Sequence, residues 1–262
     1  MTKRHGLPRA VVAALLLVAP ARASSADGAD TDHDGTPDAT EIELGLDPKV
    51  VTIPEPLLFD MVRGLGARRG ELEVNALVQT VSRGEHLVTG GPELEYVFAN
   101  GYGVELELPA SSKGIDAWKA SVQGTLPAIA DGMITHGWLA TGEYLLGPPG
   151  VRATGLYIAA ARFDTRWSVL TMIGARVSGR RRGGSGHAGV VNPSVFYDLS
   201  GHLTIGVEAN SILEGDGTRD LVLLPQIHWQ PTRELKLQLG SGAQVDEAGA
   251  TFLSALRISF MY

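Results

Sequence analysis

From Glu71 to Tyr262 the sequence keeps a period of two. Glu71-Leu-Glu-Val-Asn-Ala-Leu-Val-Gln79 opens the pattern, and it returns in residues 93–96, 104–108 and 234–239. Alternation of this kind gives strands with one polar and one apolar face. Turn residues divide residues 71–262 into about twelve segments: 71–82, 92–99, 102–110, 115–127, 133–146, 151–163, 167–178, 189–198, 203–213, 220–230, 234–244 and 251–262. Strand plus turn then averages about 16 residues, which suits strands of about 9–11 residues crossing a bilayer at a tilt.

Some connections are short: 100–101, 164–166, 199–202 and 231–233. Others read as longer loops, at 179–188, 214–219 and 246–250. Period two alone fits two architectures. In a soluble sandwich the polar face looks outward, whereas in a membrane barrel the polarity is reversed. Three features favour the barrel. Aromatic residues gather beside the short turns (Phe98, Tyr102, Phe163, Trp167, Tyr197, Trp229, Phe260 and Tyr262), as an interfacial girdle requires. The sequence ends inside the final alternating segment, so first and last strands can close on one another. An even strand number also puts both barrel ends at one rim. The expected fold is therefore all-β: an antiparallel transmembrane β-barrel of about 12 strands, within a range of 10–14, preceded by a short acidic segment. The alternative is a secreted soluble calcium-binding β-sandwich.

The N-terminal region supports export. Residues 1–9 are basic, residues 10–19 are almost wholly apolar, and Ala21-Arg22-Ala23 has the small-x-small pattern of a cleavage site. An apolar run of about 10 residues rises only about 15 Å as a helix, half of what a bilayer core needs. Residues 1–23 are read as a signal peptide, 24–49 as a calcium-binding segment, 50–70 as an extended linker containing Pro54 and Pro56, and 71–262 as the barrel. The expected location is the bacterial outer membrane. Cysteine is absent, so no disulfide holds the fold.

The formal charge is -7, and eight acids lie between Asp27 and Asp47, where there is no Lys or Arg. Net acidity argues against nucleic acid as a partner. Asp30, Asp32, Asp34, Asp38 and Glu41 take positions 1, 3, 5, 9 and 12 of a loop, with Gly35 at position 6 and the carbonyl of Thr36 at position 7. That is the order in which a calcium loop presents oxygen ligands. Calcium, a hard cation, fits this oxygen-rich set better than zinc, with only His33 nearby. The other reading is a solvated acidic tether.

Residues 30–48 also resemble bacterial thrombospondin type 3 repeats, matched by Asp34-Gly35, Pro37-Asp38, the acidic run 41–44 and Gly45-Leu46-Asp47-Pro48. The resemblance implies calcium binding, although a single copy is present and Pro37 departs from a paired EF-hand. The end of the chain resembles the insertion signal of outer-membrane barrels, carried by Leu256, Ile258, Phe260 and Tyr262, with Ser254 as a departure. It implies handling by the barrel-assembly machinery and contact with outer-membrane lipid. The run 92–109, Pro-Glu-Leu-Glu-Tyr-Val-Phe-Ala-Asn-Gly-Tyr-Gly-Val-Glu-Leu-Glu-Leu-Pro, resembles a hairpin of outer-membrane proteins grouped with the phenol-degradation meta-pathway transporters. That resemblance implies uptake of small, including aromatic, compounds.

If the apolar face meets lipid, the lumen is lined by Glu73, Glu93, Glu95, Glu105, Glu107, Arg176, Glu208, His228, Lys236 and Arg257, among others. The acids cluster early and the bases late. This arrangement fits a pore whose acidic wall favours cationic or polar solutes, and equally a salt-bridged core filling a narrow barrel. The function expected is a passive channel or transporter for small molecules, with a non-conducting structural or surface-interaction barrel as the alternative. No enzyme is expected. Residues 184–189 match the Gly-x-Gly-x-x-Gly spacing of a dinucleotide fingerprint, but no helical pattern follows. There is no Gly-x-Ser-x-Gly or His-Glu-x-x-His, and the seven His are scattered. Arg180-Arg181-Arg182 falls in an expected outer loop, suited either to phosphate groups of the outer leaflet or to solvent.

Overall fold

A computed structural model describes residues 28–32, 36–46, 49, 51–59, 61–83, 85–130, 133–180 and 184–262. The signal peptide expected at 1–23, Asp34, and Arg181 and Arg182 of the basic run lie outside the described residues. Among the described residues one short helix, α1 (Asp38–Leu44), precedes the sheet. The strands are β1 (Leu72–Arg83), β2 (Glu85–Ala99), β3 (Tyr102–Glu107), β4 (Ala110–Ser111), β5 (Gly114–Ile115), β6 (Ala117–Ile129), β7 (Ile134–Leu145), β8 (Gly150–Arg162), β9 (Trp167–Arg180), β10 (Ser185–Ser200), β11 (Leu203–Glu214), β12 (Arg219–Thr232), β13 (Leu235–Asp246) and β14 (Gly249–Met261). The two-residue pair β4 and β5 forms a flap on β2. The other twelve strands pair antiparallel in order, and β1 closes on β14 from Glu73↔Met261 to Ser82↔Phe252. Closure leaves no long unpaired edge, which is what a sheet immersed in hydrocarbon requires.

The strand segments follow the alternation closely, with two corrections. Residues 83–91 were expected as a connection, yet β2 begins at Glu85 and runs through Gly90, Gly91 and Pro92. These residues look like breakers because they tolerate turns. In the sheet they mark close approach: a Cβ on Gly90 would meet the Leu77 carbonyl oxygen at 2.0 Å. The long outer loops are corrected as well, since β9, β10, β11 and β13 extend and leave only 181–184, 215–218 and 247–248 between strands. Pairing persists to Asp246↔Gly249, so residues read as loop are spent on hairpin. Only the 108–116 connection, which carries the β4–β5 flap, is long.

The faces are inverted relative to a soluble sandwich. Leu106 is 61% exposed whereas its neighbour Glu105 is 3% exposed. Leu94, Tyr96, Val104, Leu223, Ile227 and Leu239 are exposed on the outer surface, while Glu95, Glu208, Gln238 and Arg257 are buried inside. The sandwich alternative thus gives way to a closed barrel with an apolar exterior. Phe98, Tyr102, Phe163, Trp167, Trp229, Phe260 and Tyr262 ring the short-turn rim, and all are exposed. A second set, Trp118, Tyr144 and Phe252, stands near the opposite rim, with Trp118 directly across from Tyr144. Phe252 and Phe260 are about 27 Å apart along β14 at about 3.4 Å per residue, and a tilt of about 40° reduces this to a height of about 20 Å, close to a bilayer's apolar band.

Candidate functional site: the occupied lumen

The interior wall has two halves. On β1, β2, β3, β6 and β11–β14 many inward positions are polar, including Glu73, Asn75, Glu93, Glu95, Gln123 and Glu208, all buried, with Leu77, Leu224, Leu253 and Ala255 as an apolar patch among them. On β7–β10 inward positions are largely apolar: Leu139, Leu156, Ile158, Leu170, Met172, Val190 and Phe196 form one buried cluster. These strands are apolar on both faces, so assigning one apolar face to lipid misses the inner one.

The polar wall carries like charges side by side. Glu73 stands opposite Glu95, Glu95 opposite Glu105, and Glu93 opposite Glu107. Cross-strand like charges repel unless counter-charges or donors intervene. Lys119 bridges Glu105, at 3.1 Å, and Glu107. Arg63 pairs with Glu73 and, at 3.2 Å, with Glu71. Asn75 donates to Glu95 at 2.6 Å. Elsewhere Arg176 pairs with Glu214, Lys236 lies 3.4 Å from Glu55, and His228 bonds Gln226 at 2.9 Å while its ring faces Phe196 at 5.5 Å. Arg257 is 2% exposed. Of the ten residues expected to line the lumen, Glu73, Glu93, Glu95, Glu105, Glu208, His228 and Arg257 are buried, and Glu107, Arg176 and Lys236 are half-buried.

What the alternation could not show is what fills this space. The stretch 50–70, expected as an extended linker, has no regular secondary structure over its described residues 51–59 and 61–70, yet it is not a spacer: Ile53, Leu57, Leu58, Phe59, Met61, Val62 and Leu65 pack inside the barrel. Leu57, Met61 and Val62 are fully buried. Met61 and Val62 lie on the apolar half-wall with Ile53, Phe59 and Leu65, and Leu57 packs with Leu77, Leu224, Leu253 and Ala255. Burial of such side chains contributes about 1.5–3 kcal/mol each. Wall glycines make room for them. A Cβ on Gly137 or Gly240 would come within 2.8 Å of a methyl of Leu65 or Leu57.

Irregular backbone at membrane depth must find partners within the protein, and here it does. The N–H groups of Leu57, Leu58 and Phe59 all donate to the Glu208 carboxylate, at 2.9, 3.0 and 2.8 Å. Gln123 accepts from the Val62 N–H at 3.0 Å and donates to the Arg63 carbonyl at 2.5 Å. Gln238 donates to the Glu55 carbonyl, Arg162 to that of Thr52, and the Gly66 N–H reaches the Thr125 hydroxyl. Arg162 is itself fixed by Asp198 at 2.7 Å. At the exit Gly70 donates to Val97, and Gly101 donates to Ala67. A polar linker would not contain Leu57-Leu58-Phe59 and Met61-Val62; that apolar density was the available signal.

The acidic segment meets the same rim. α1 ends at Gly45 in the left-handed region, φ 78°, and Leu44 is buried. Arg68 donates to the Gly45 carbonyl at 2.8 Å, and a Cβ on Gly201 would meet the Thr40 side chain. A cavity of about 240 Å³ lies here between α1, residues 51–68 and the barrel mouth, lined among others by Arg162, Arg233 and Lys236. Of the calcium set, Glu41 is buried in α1, whereas Asp38 is half-buried and accepts from the Thr31 hydroxyl and N–H, both at 2.7 Å. Those two bonds lower the Asp38 pKa, the hydroxyl bond foremost. Among the described residues no group of three or more His, Asp or Glu is gathered to hold a metal; Asp30, Asp32, Thr36, Asp38 and Glu41 are described and Asp34 is not. Leu256, Ile258, Phe260 and Tyr262 all point outward from the end of the barrel.

No family model matches this chain, and no curated protein matches it. Solved structures do. The NanC porin aligns over 72% of this chain and 98% of its own with a TM-score of 0.58 at 9% identity. The KdgM porin aligns over the same shares with a TM-score of 0.54 at 12% identity. An outer membrane channel from Pseudomonas putida F1 aligns over 75% of this chain and 97% of its own with a TM-score of 0.51 at 12% identity. At these identities the likeness establishes the fold, a porin-like barrel.

Proposed function

We propose that this chain is an outer-membrane barrel that acts as a passive channel for small molecules. The carrying observation is the inverted closed sheet, with an apolar belt outside and charged side chains buried inside. The similar structures are of porins and channels, which supports the reading, and the KdgM porin has also been solved in complex with disordered oligogalacturonate. No catalytic constellation is proposed. The solute has two sides to satisfy: the acidic wall of β1–β3 favours donors and cations, and the apolar wall of β7–β10 favours a hydrocarbon or aromatic body. This suits the resemblance of residues 92–109 to transporters of small aromatic compounds. Lipid contacts the outer belt, and the β14 face serves as the signal for the assembly machinery.

One observation favours a second reading, a non-conducting structural barrel: residues 51–66 occupy the lumen. Planar-bilayer recording separates the two. Discrete, ion-carrying openings from purified, heat-modifiable protein support the channel, and their consistent absence leaves the structural barrel. For residues 30–41 we propose calcium binding, supported by the spacing of oxygen ligands and by Glu41 buried at the twelfth position. Asp30, Asp32, Asp34, Thr36, Asp38 and Glu41 would hold the ion, which would supply the charge that orders the loop beside the barrel mouth.

A further inference from the structure

Three successive backbone N–H groups converge on one carboxylate in the middle of the lumen. The bend at residues 57–59 turns the amides of Leu57, Leu58 and Phe59 to the same side, the concave arrangement with which a backbone binds an anion. The anion is Glu208 of β11, fully buried. Leu57 and Leu58 share Oε2, while Phe59 and the Asn210 side-chain amide, at 2.7 Å, share Oε1. Pro54 and Pro56 lack an N–H, so on this stretch the donors are confined to one short arc.

We propose that residues 51–66 are a displaceable plug and that the Glu208 carboxylate is its latch. The inference rests on the channel reading for its consequence, but not for its chemistry. Charge also ties the ends of the segment, through Arg63 to Glu73 and Glu71, Glu55 to Lys236 and the Thr52 carbonyl to Arg162, whereas between those ends the other wall contacts are apolar packing and neutral hydrogen bonds to Gln123 and Gln238. The Glu208 contact is directional, threefold and charge-assisted, and such bonds are about twice as strong as neutral ones. An amide in place of the carboxylate offers one oxygen where two are needed and turns an NH₂ group towards an N–H donor. Geometry is otherwise kept, because Gln is isosteric with Glu. Glu208→Gln therefore weakens the seat without reshaping the lumen, and the released segment uncovers the apolar half-wall and the space between it and β1–β3.

The chain lacks cysteine, so a thiol placed at fully buried Val62 reports release directly. Val62→Cys protein in lipid vesicles is exposed to a water-soluble maleimide, with and without Glu208→Gln, and each variant is also recorded in planar bilayers. The latch predicts labelling faster by about tenfold or more in the double variant, the scale of one lost charge-assisted contact, with more frequent openings. Equal labelling rates in two folded, heat-modifiable proteins overturn the latch. Faster labelling with no current from any variant upholds the latch and removes the channel reading. If Glu208→Gln does not fold, Leu58→Pro removes one donor from the plug side alone, and its labelling rate decides in the same way.

Discussion

Val62 and Gly103 meet inside the barrel as a side chain and the space left for it: a Cβ on Gly103 would lie 3.8 Å from the Val62 Cβ. That separation is the mean for the two Cβ atoms of a disulfide. Val62→Cys with Gly103→Cys should therefore cross-link in the oxidised double variant, pinning residue 62 to β3. The readout is a band shift under non-reducing conditions that collapses on reduction. Failure to cross-link in folded protein would mean that the segment does not rest where the packing places it. Cross-linked protein should also carry no more current than its reduced form.

Lys119 is the counter-charge for two carboxylates at once, Glu105 and Glu107, on a wall where Glu93 also stands nearby in register. Lys119→Met leaves both carboxylates without it and should cost about 3 kcal/mol, the range for breaking a largely buried ion pair. The urea midpoint of vesicle-inserted protein would show this. Adding Glu105→Gln and Glu107→Gln to Lys119→Met should recover most of the loss, because contacting residues are not additive. No recovery would mean that the lysine stem, not its charge, carries the effect.

The barrel was legible because each polar strand states its two faces in the order of its residues. Glu93-Leu94-Glu95-Tyr96 needs only a period of two to place Leu94 outside and Glu95 inside. Strands such as β8 do not state theirs. Tyr157 is exposed and Leu156 and Ile158 are buried, yet all are apolar, and only three-dimensional closure tells them apart. The plug was hidden for a different reason. Pro54 and Pro56 signal the absence of regular structure, which is correct, but irregular backbone is free to be buried when a partner such as Glu208 lies 150 residues away in sequence. Long-range pairing of this kind leaves no periodic trace. The apolar runs through Leu57, Leu58 and Phe59 and through Met61 and Val62 were its local mark.

Calcium is expected to bind the segment at residues 30–41 with the affinity of extracellular modules, a Kd of about 10⁻⁴–10⁻³ M. Isothermal titration of the full chain in detergent tests this, and Glu41→Gln should abolish the heat. No heat in the unmodified protein would leave the segment as an acidic tether. Acid should act separately. The Thr31 hydroxyl and N–H lower the Asp38 pKa, so the stability they give is present above its ordinary value of 3.8 and is lost as pH falls through the lower folded value. Carboxyl NMR shifts of Asp38, followed without metal, would show that midpoint, and Thr31→Ala should raise it.

The last three residues bear on whether the cylinder closes at all. Tyr262 exchanges hydrogen bonds with Leu72, donating at 2.8 Å and accepting at 3.2 Å, and Phe260 and Met261 pair with Val74 and Glu73. These contacts start the seam between β1 and β14, and the exposed faces of Phe260 and Tyr262 belong to the short-turn girdle. Deleting residues 260–262 removes both. It should eliminate the heat-modifiable band and leave the protein outside the membrane fraction. Replacing Tyr262 with Phe keeps the ring and the backbone pairing, so that variant should assemble normally. Normal insertion of the truncated chain would show that the seam begins further along, at Ile258 and Leu256, and that the terminal aromatic is dispensable for assembly.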